Sequence, residues 1–204
     1  MQDAFIWASQ SHLSAEMLAP LRDLNLRFLD LVAARAGAWP GTGPLSLSPG
    51  AVARIAPLTR AQRAAAANCP YALFDLRLGD EAHWRLGLAR HPDRAVADGP
   101  PIAEDILSFA CIALFYAWHV ASTPRLGAQL WLGMSKGTAS VLRTISLDRL
   151  PALAASQAAH LSARWGSSVF FWDALAASAS RGEERCLRKV HLFGVQLAAA
   201  ALLP

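Results

Sequence analysis

One segment of this chain is written twice. Leu45-Ser46-Leu47-Ser48-Pro49-Gly50 is followed by Val52, Ile55, Leu58 and an Ala65-Ala66-Ala67 tail. Leu132-Gly133-Met134-Ser135-Lys136-Gly137 is followed by Ala139, Leu142, Ile145 and a Leu153-Ala154-Ala155 tail. The step from Ser48 to Ser135 is 87 residues, and it also relates Phe28 to Phe115, Arg77 to Arg164, Asp80 to Ser167 and Trp84 to Phe171. An internal repeat constrains architecture more than any single motif, because each copy must bury its apolar face against a neighbour. The expectation is a tandem pair: an N-terminal extension at 1–13, a first unit at 14–101 and a second at 102–203, related by a pseudo-twofold.

Each unit reads as helical. Residues 18–36 carry Leu21, Leu24, Phe28, Leu31 and Val32 on one stripe at spacings of three and four, with Gly37 as a stop. Ser48-Pro49 is an N-cap followed by proline at the first helical position, and Pro57 ends that short helix. Thr59 caps residues 60–68, and Asp80 caps a helix through Trp84 and Leu88. Residues 71–78 alternate imperfectly and fit either an extended segment or a helical turn. Residues 91–101, with Pro92, Gly99, Pro100 and Pro101, are the linker. In the second unit, helices are predicted over 102–122, 125–132, 135–144, 147–159 and 169–177. Arg181-Gly182 is a break, and 183–203 is a closing C-terminal helix. No run has the β-branched alternation of a good strand, so the class is all-α.

The bulk numbers agree. With 54% apolar and 17% charged residues in 204 positions, the chain is globular rather than disordered. The net charge of +4 rests on 19 cations, of which only Lys136 and Lys189 are lysine. Acids are interleaved with the arginines, so a scattered solvated surface fits better than a nucleic-acid stripe. Cys69, Cys111 and Cys186 are odd in number and far apart, which predicts a reduced, cytoplasmic setting. Residues 1–7 lack a signal-peptide pattern. The apolar run 106–120 is shorter than the ~20 residues of a span and reads as a buried helix, so no membrane contact is expected.

Three segments resemble the D subunit of the bacterial flagellar master transcriptional regulator. Asp23-Leu24-Asn25-Leu26-Arg27-Phe28-Leu29-Asp30-Leu31 is similar to that family's first helix. Leu132-Gly133-Met134-Ser135, with Leu142, Ile145-Ser146 and Leu153-Ala154, looks like its central stretch. Leu187, Val190 and His191 fall where the family has Leu-x-x-Ile-His. Members of that family are single units of roughly half this length that pair into homodimers and join a C subunit, which supplies much of the DNA contact and a zinc site. The resemblance implies a fused pseudo-dimer that works with a C-subunit-like protein or by self-association. The chain departs from the family pattern in its Gly/Pro-rich loop at 38–44, in Phe74 and Leu161 near the place of a family cysteine, and in lacking the partner's zinc ligands.

Candidate chemistry is sparse. Gly133-Met134-Ser135-Lys136-Gly137 matches the nucleophile elbow G-x-S-x-G, which needs a strand feeding a tight turn before a helix. Here the preceding residues read as helix, and an N-cap serine accounts for both Ser135 and Ser48. The six histidines (His12, His83, His91, His119, His160, His191) show no metal-ligand spacing. His119 is expected to be a core histidine bonded to a backbone carbonyl. Glu104-Asp105 and Glu183-Glu184 belong to helix first turns, where they offset the dipole. Of the seven tryptophans, Trp84, Trp118, Trp165 and Trp172 are assigned to core or interface. Arg181, Arg185, Arg188 and Lys189 form the densest basic patch, which is either a solvated face or a contact for nucleic acid or an acidic partner.

The favoured reading is a non-enzymatic assembly protein of transcriptional-regulator type, with a protein partner and with DNA contact weak or indirect. No catalytic residue, cofactor, metal or small-molecule substrate is expected. Two alternatives stay open: a helical scaffold unrelated to transcription, and a small serine hydrolase using Ser135.

Overall fold

The structure, a computed structural model, describes residues 15–37, 44–89, 102–122 and 127–201. The expected extension at 1–13, the linker at 91–101 and most of the 38–44 loop lie outside the described residues. The fold is all-α. Helices α1 (Ala15–Ala34), α2 (Pro49–Ile55), α3 (Arg60–Ala67) and α4 (Glu81–Ala89) belong to the first half. Helices α5 (Glu104–Ser122), α6 (Gly127–Leu132), α7 (Lys136–Arg143), α8 (Leu150–Ala158), α9 (Val169–Arg181) and α10 (Glu184–Ala200) belong to the second. The ambiguous 71–78 segment is extended: β1 (Phe74–Asp75) pairs antiparallel with β2 (Ser162–Ala163), Phe74 opposite Ala163 and Asp75 opposite Ser162.

The helix starts follow local chemistry. Ser48 Oγ accepts from Ala51 N at 3.1 Å and Ser135 Oγ from Thr138 N at 3.0 Å, each satisfying an orphan donor of the first turn. Thr59 and Gln62 form a capping box. Asp80 Oδ1 accepts from His83 N. Gly182 ends α9 in the left-handed region at φ 65°. Helix α9 runs one turn past the expected end at 177, since nothing in Ser178-Ala179-Ser180-Arg181 stops it before that glycine.

Packing follows the same order in both halves. α1 packs on α2 and α3, and α5 packs on α7 and α8. Two contacts between the halves are mirror-related, α4 on α7 and α9 on α2, whereas α9 also packs on α3 without a matching contact of that extent between α4 and α8. A Cβ at Gly79 would stand 3.4 Å from the Gly133 carbonyl oxygen, and a Cβ at Gly166 would stand 2.5 Å from the Ser46 carbonyl oxygen. Trp84 Nε1 donates to the Arg77 carbonyl (2.9 Å) and Trp172 Nε1 to the Arg164 carbonyl (3.2 Å). The same tryptophan-to-arginine-carbonyl bond thus occurs in each half, seven residues after Arg77 and eight after Arg164.

The halves share one core. The Phe28 ring lies among Phe74, Phe109 and Trp172, and Phe74 meets Phe109 edge-on with centroids 5.1 Å apart. α5 is long and apolar enough to cross a membrane by length and composition. Half of it is buried, with Ala110, Ala113 and Leu114 fully enclosed by α1, α7 and α8.

Candidate functional site

The four predicted basic residues sit at the junction of α9 and α10, but they are not equivalent. Arg181 ends α9, and its Nε donates to Glu183 Oε1 at 2.7 Å across the Gly182 turn. Its charge is thereby partly spent on a local ion pair. Glu183 also accepts from Cys186; that bond first, and Arg181 second, hold its carboxyl below the usual range. Arg185, Arg188 and Lys189 lie on α10, all exposed. Spacings of three and four place them on one helical face. None of the three has a carboxylate partner among the described residues.

What the sequence did not reveal is the surface beside them. Phe170 on α9 is 72% exposed, Leu192 on α10 is 65% exposed and Val169 is 52% exposed. The Phe170 ring meets Phe193 of α10 edge-to-face, centroids 5.6 Å apart. The only sequence signal was the run Val169-Phe170-Phe171-Trp172, which has more apolar residues than one buried helical stripe can use. Phe171 and Trp172 are fully buried and Val169 and Phe170 are left outside.

Ser135 caps α7. Its hydroxyl accepts from Thr138 N and donates to Thr138 Oγ1 at 2.9 Å. The element before it is helix α6, followed by Gly133 at φ 65°, rather than the strand an elbow requires.

The buried polar groups lie in the core instead. Asn25 Nδ2 donates to the Tyr71 carbonyl and its Oδ1 accepts from Leu73 N, both at 2.8 Å. Arg164 donates to the carbonyls of Trp131 (2.9 Å) and Leu130 (3.3 Å), and its guanidinium stacks over Trp165 at 4.5 Å. Desolvation brings Arg164 down to about 10 against the pull of Asp75. Burial pushes the Cys69 thiol up to about 12 and raises Asp75. These shifts come from enclosure in packed protein, so Cys69 is an inert thiol.

Among the histidines, His119 is exposed on α5, because its position falls on the outward side of that helix. His191 Nε2 lies 3.1 Å from Ala66 O, and burial lowers its pKa. His83 bonds Gln157 at 2.8 Å and meets His160 edge-on at 4.6 Å. Desolvation first, then the charges of His83 and Arg77, lower His160. His12 and His91 lie outside the described residues. Asp105 is paired with Arg35, and Glu184 opens α10. Trp118 donates to Ile145 O at 2.9 Å, which ties α5 to the end of α7. Among the described residues no group of three or more His, Cys, Asp or Glu is placed to hold a metal ion. Comparison with family models, curated proteins and solved structures returned no match for this chain.

Proposed function

We propose that this chain is a non-enzymatic assembly protein, in effect an intramolecular dimer of one helical unit, which acts in transcriptional control through a protein partner. DNA is contacted weakly or through that partner. The observation that carries the reading is reciprocity. α4 of the first half seats on α7 of the second while α9 of the second seats on α2 of the first. Gly79 approaches the Gly133 carbonyl as Gly166 approaches that of Ser46. A homodimer interface is self-complementary in this way, residue i meeting j and j meeting i. Two fused copies of a dimeric unit leave the same pattern within one chain.

The transcriptional part of the reading is supported by the resemblance of residues 23–31 and 132–154 to the regulator's D subunit. The non-enzymatic part is supported by how the polar groups are used. Ser135 is engaged with Thr138, and Arg164 and Asn25 are engaged with backbone groups. A pull-down from native lysate, with and without nuclease, tests the reading. Nuclease-resistant recovery of one protein in fixed ratio is expected, and nuclease-sensitive recovery moves the function to DNA. A recovered partner unconnected with transcription keeps assembly and removes the regulatory role. Esterase activity that disappears in Ser135→Ala overturns the non-enzymatic reading.

A further inference from the structure

Helix α10 follows α9 across the Gly182 turn and packs on it. Its inner side, Val190, Gly194 and Ala198, is buried, with Gly194 against the Tyr71 ring. Its outer side carries Arg185, Arg188, Lys189, Leu192 and Gln196, all exposed and spaced by three and four residues. Lys189 is one turn before Phe193, and Phe193 supports the exposed Phe170 ring. Cations and apolar side chains thus form one continuous surface. The acids at the start of α10, Glu183 and Glu184, stand at its N-terminal end, and Glu183 is held by Arg181.

We propose that this α9–α10 face docks an acidic amphipathic helix of a protein partner. Its apolar residues seat on Phe170 and Leu192, and its carboxylates face Arg185, Arg188 and Lys189. The proposal rests on the assembly reading and names the partner's chemistry. Charge complementarity selects the occupant: three exposed cations without carboxylate partners among the described residues share the outer side of α10 with exposed Leu192, one turn from the half-buried Phe193 that meets exposed Phe170. The rise from Arg185 to Leu192 is about 10 Å, which two to three turns of a docked helix cover. A nucleic-acid duplex fits less well. Three cations neutralise few phosphates, and Val169, Phe170 and Leu192 occupy the rest of the surface. A membrane fits less well too, because interfacial helices insert a broad apolar face and that of α10 is already buried.

The test is a selection from a displayed library of random helical peptides against the full chain. Phe170→Ala and the triple reversal Arg185→Glu, Arg188→Glu, Lys189→Glu serve as counter-targets. All four residues are exposed, and unchanged circular dichroism and melting temperature establish that the variants fold. The expected winners alternate acidic and apolar residues at helical spacing. Each variant weakens their binding on the order of tenfold or more, as loss of an interface anchor does, and added salt weakens it further. Winners without acidic bias, or winners that bind both variants as tightly as the parent chain, overturn the proposal. So does a 20-base-pair duplex, or a vesicle with anionic lipid, whose binding depends on these residues when no peptide's does. If Phe170→Ala still recovers the same nuclease-resistant protein from lysate, assembly stands and only this face is wrong.

Discussion

In the first half, the link from α1 to the strand segment is made by Asn25, enclosed completely and bonded to Tyr71 O and Leu73 N. Its counterpart by position in the second half is Ile112, which is 41% exposed on α5. The second half fastens itself instead through Arg164, buried against the Trp131 carbonyl, while the matching Arg77 lies near the surface and pairs with Asp80. Helix starts, the tryptophan-to-carbonyl bond and the close glycine approaches recur in both halves; the buried polar locks do not. Backbone geometry tolerates few alternatives at a tight turn or a helix start, whereas a core is fastened by any satisfied polar group that fits.

The largest effect expected from this contrast is at Asn25. Asn25→Ala strands the buried Leu73 N–H, leaves the Tyr71 carbonyl with the Cys69 thiol alone, and costs about 3 kcal/mol. Ile112→Ala costs about 0.5 kcal/mol or less, as at other exposed sites. Urea unfolding of the two variants measures the difference, and equal losses would dissolve the contrast. The glycine pair comes next. Gly166→Ala forces a methyl group onto the Ser46 backbone and costs about 2 kcal/mol, whereas Gly79→Ala, whose methyl would lie in ordinary contact 3.4 Å from the Gly133 oxygen, stays within about 0.5 kcal/mol. Thermal melts of both sharpen how far the two approaches differ.

The caps follow. Ser48→Ala costs about 1 kcal/mol, and Ser135→Ala costs about 2 kcal/mol because it also deprives the buried Thr138 hydroxyl of its donor. Reversal of that order in chemical denaturation would show that the Thr138 bond contributes nothing. The smallest effect is at Ser46, which holds φ 65° where its counterpart is Gly133 at the same angle. Ser46→Gly relieves left-handed strain and gains about 0.5 kcal/mol, net of glycine's greater freedom in the unfolded chain. A lowered melting temperature for that variant would contradict the equivalence of the two turns.

Much of this was legible in the sequence. Ser48-Pro49 and Ser135, Thr59, Asp80 and Gly182 announced their helix boundaries through local chemistry. The β1–β2 pair was not legible, because two residues are too few to set a period, and their pairing is decided by where the helices bring them. The Trp172 bond to Arg164 O was not legible either, because Phe171 is equally apolar and fits the 87-residue offset. His119 misled because an apolar helix still has an outside, and the composition of residues 106–120 gives no sign of which side that is. The basic cluster was legible as charge, but its apolar neighbours Phe170 and Leu192 were not, since exposure depends on what α9 and α10 leave uncovered after packing on each other.

The central claim is that the two halves form one interleaved body. Native-state hydrogen exchange across a denaturant series tests it most directly, comparing the slowest amides of α1 and α3 with those of α5 and α8. With α4 seated on α7 and α9 on α2, neither half keeps its core alone. Both sets are predicted to converge on one opening free energy, and Ser48→Ala in the first half lowers protection in both by the same amount. Persistence of protection in α5 and α8 after α1 and α3 have opened would contradict the claim.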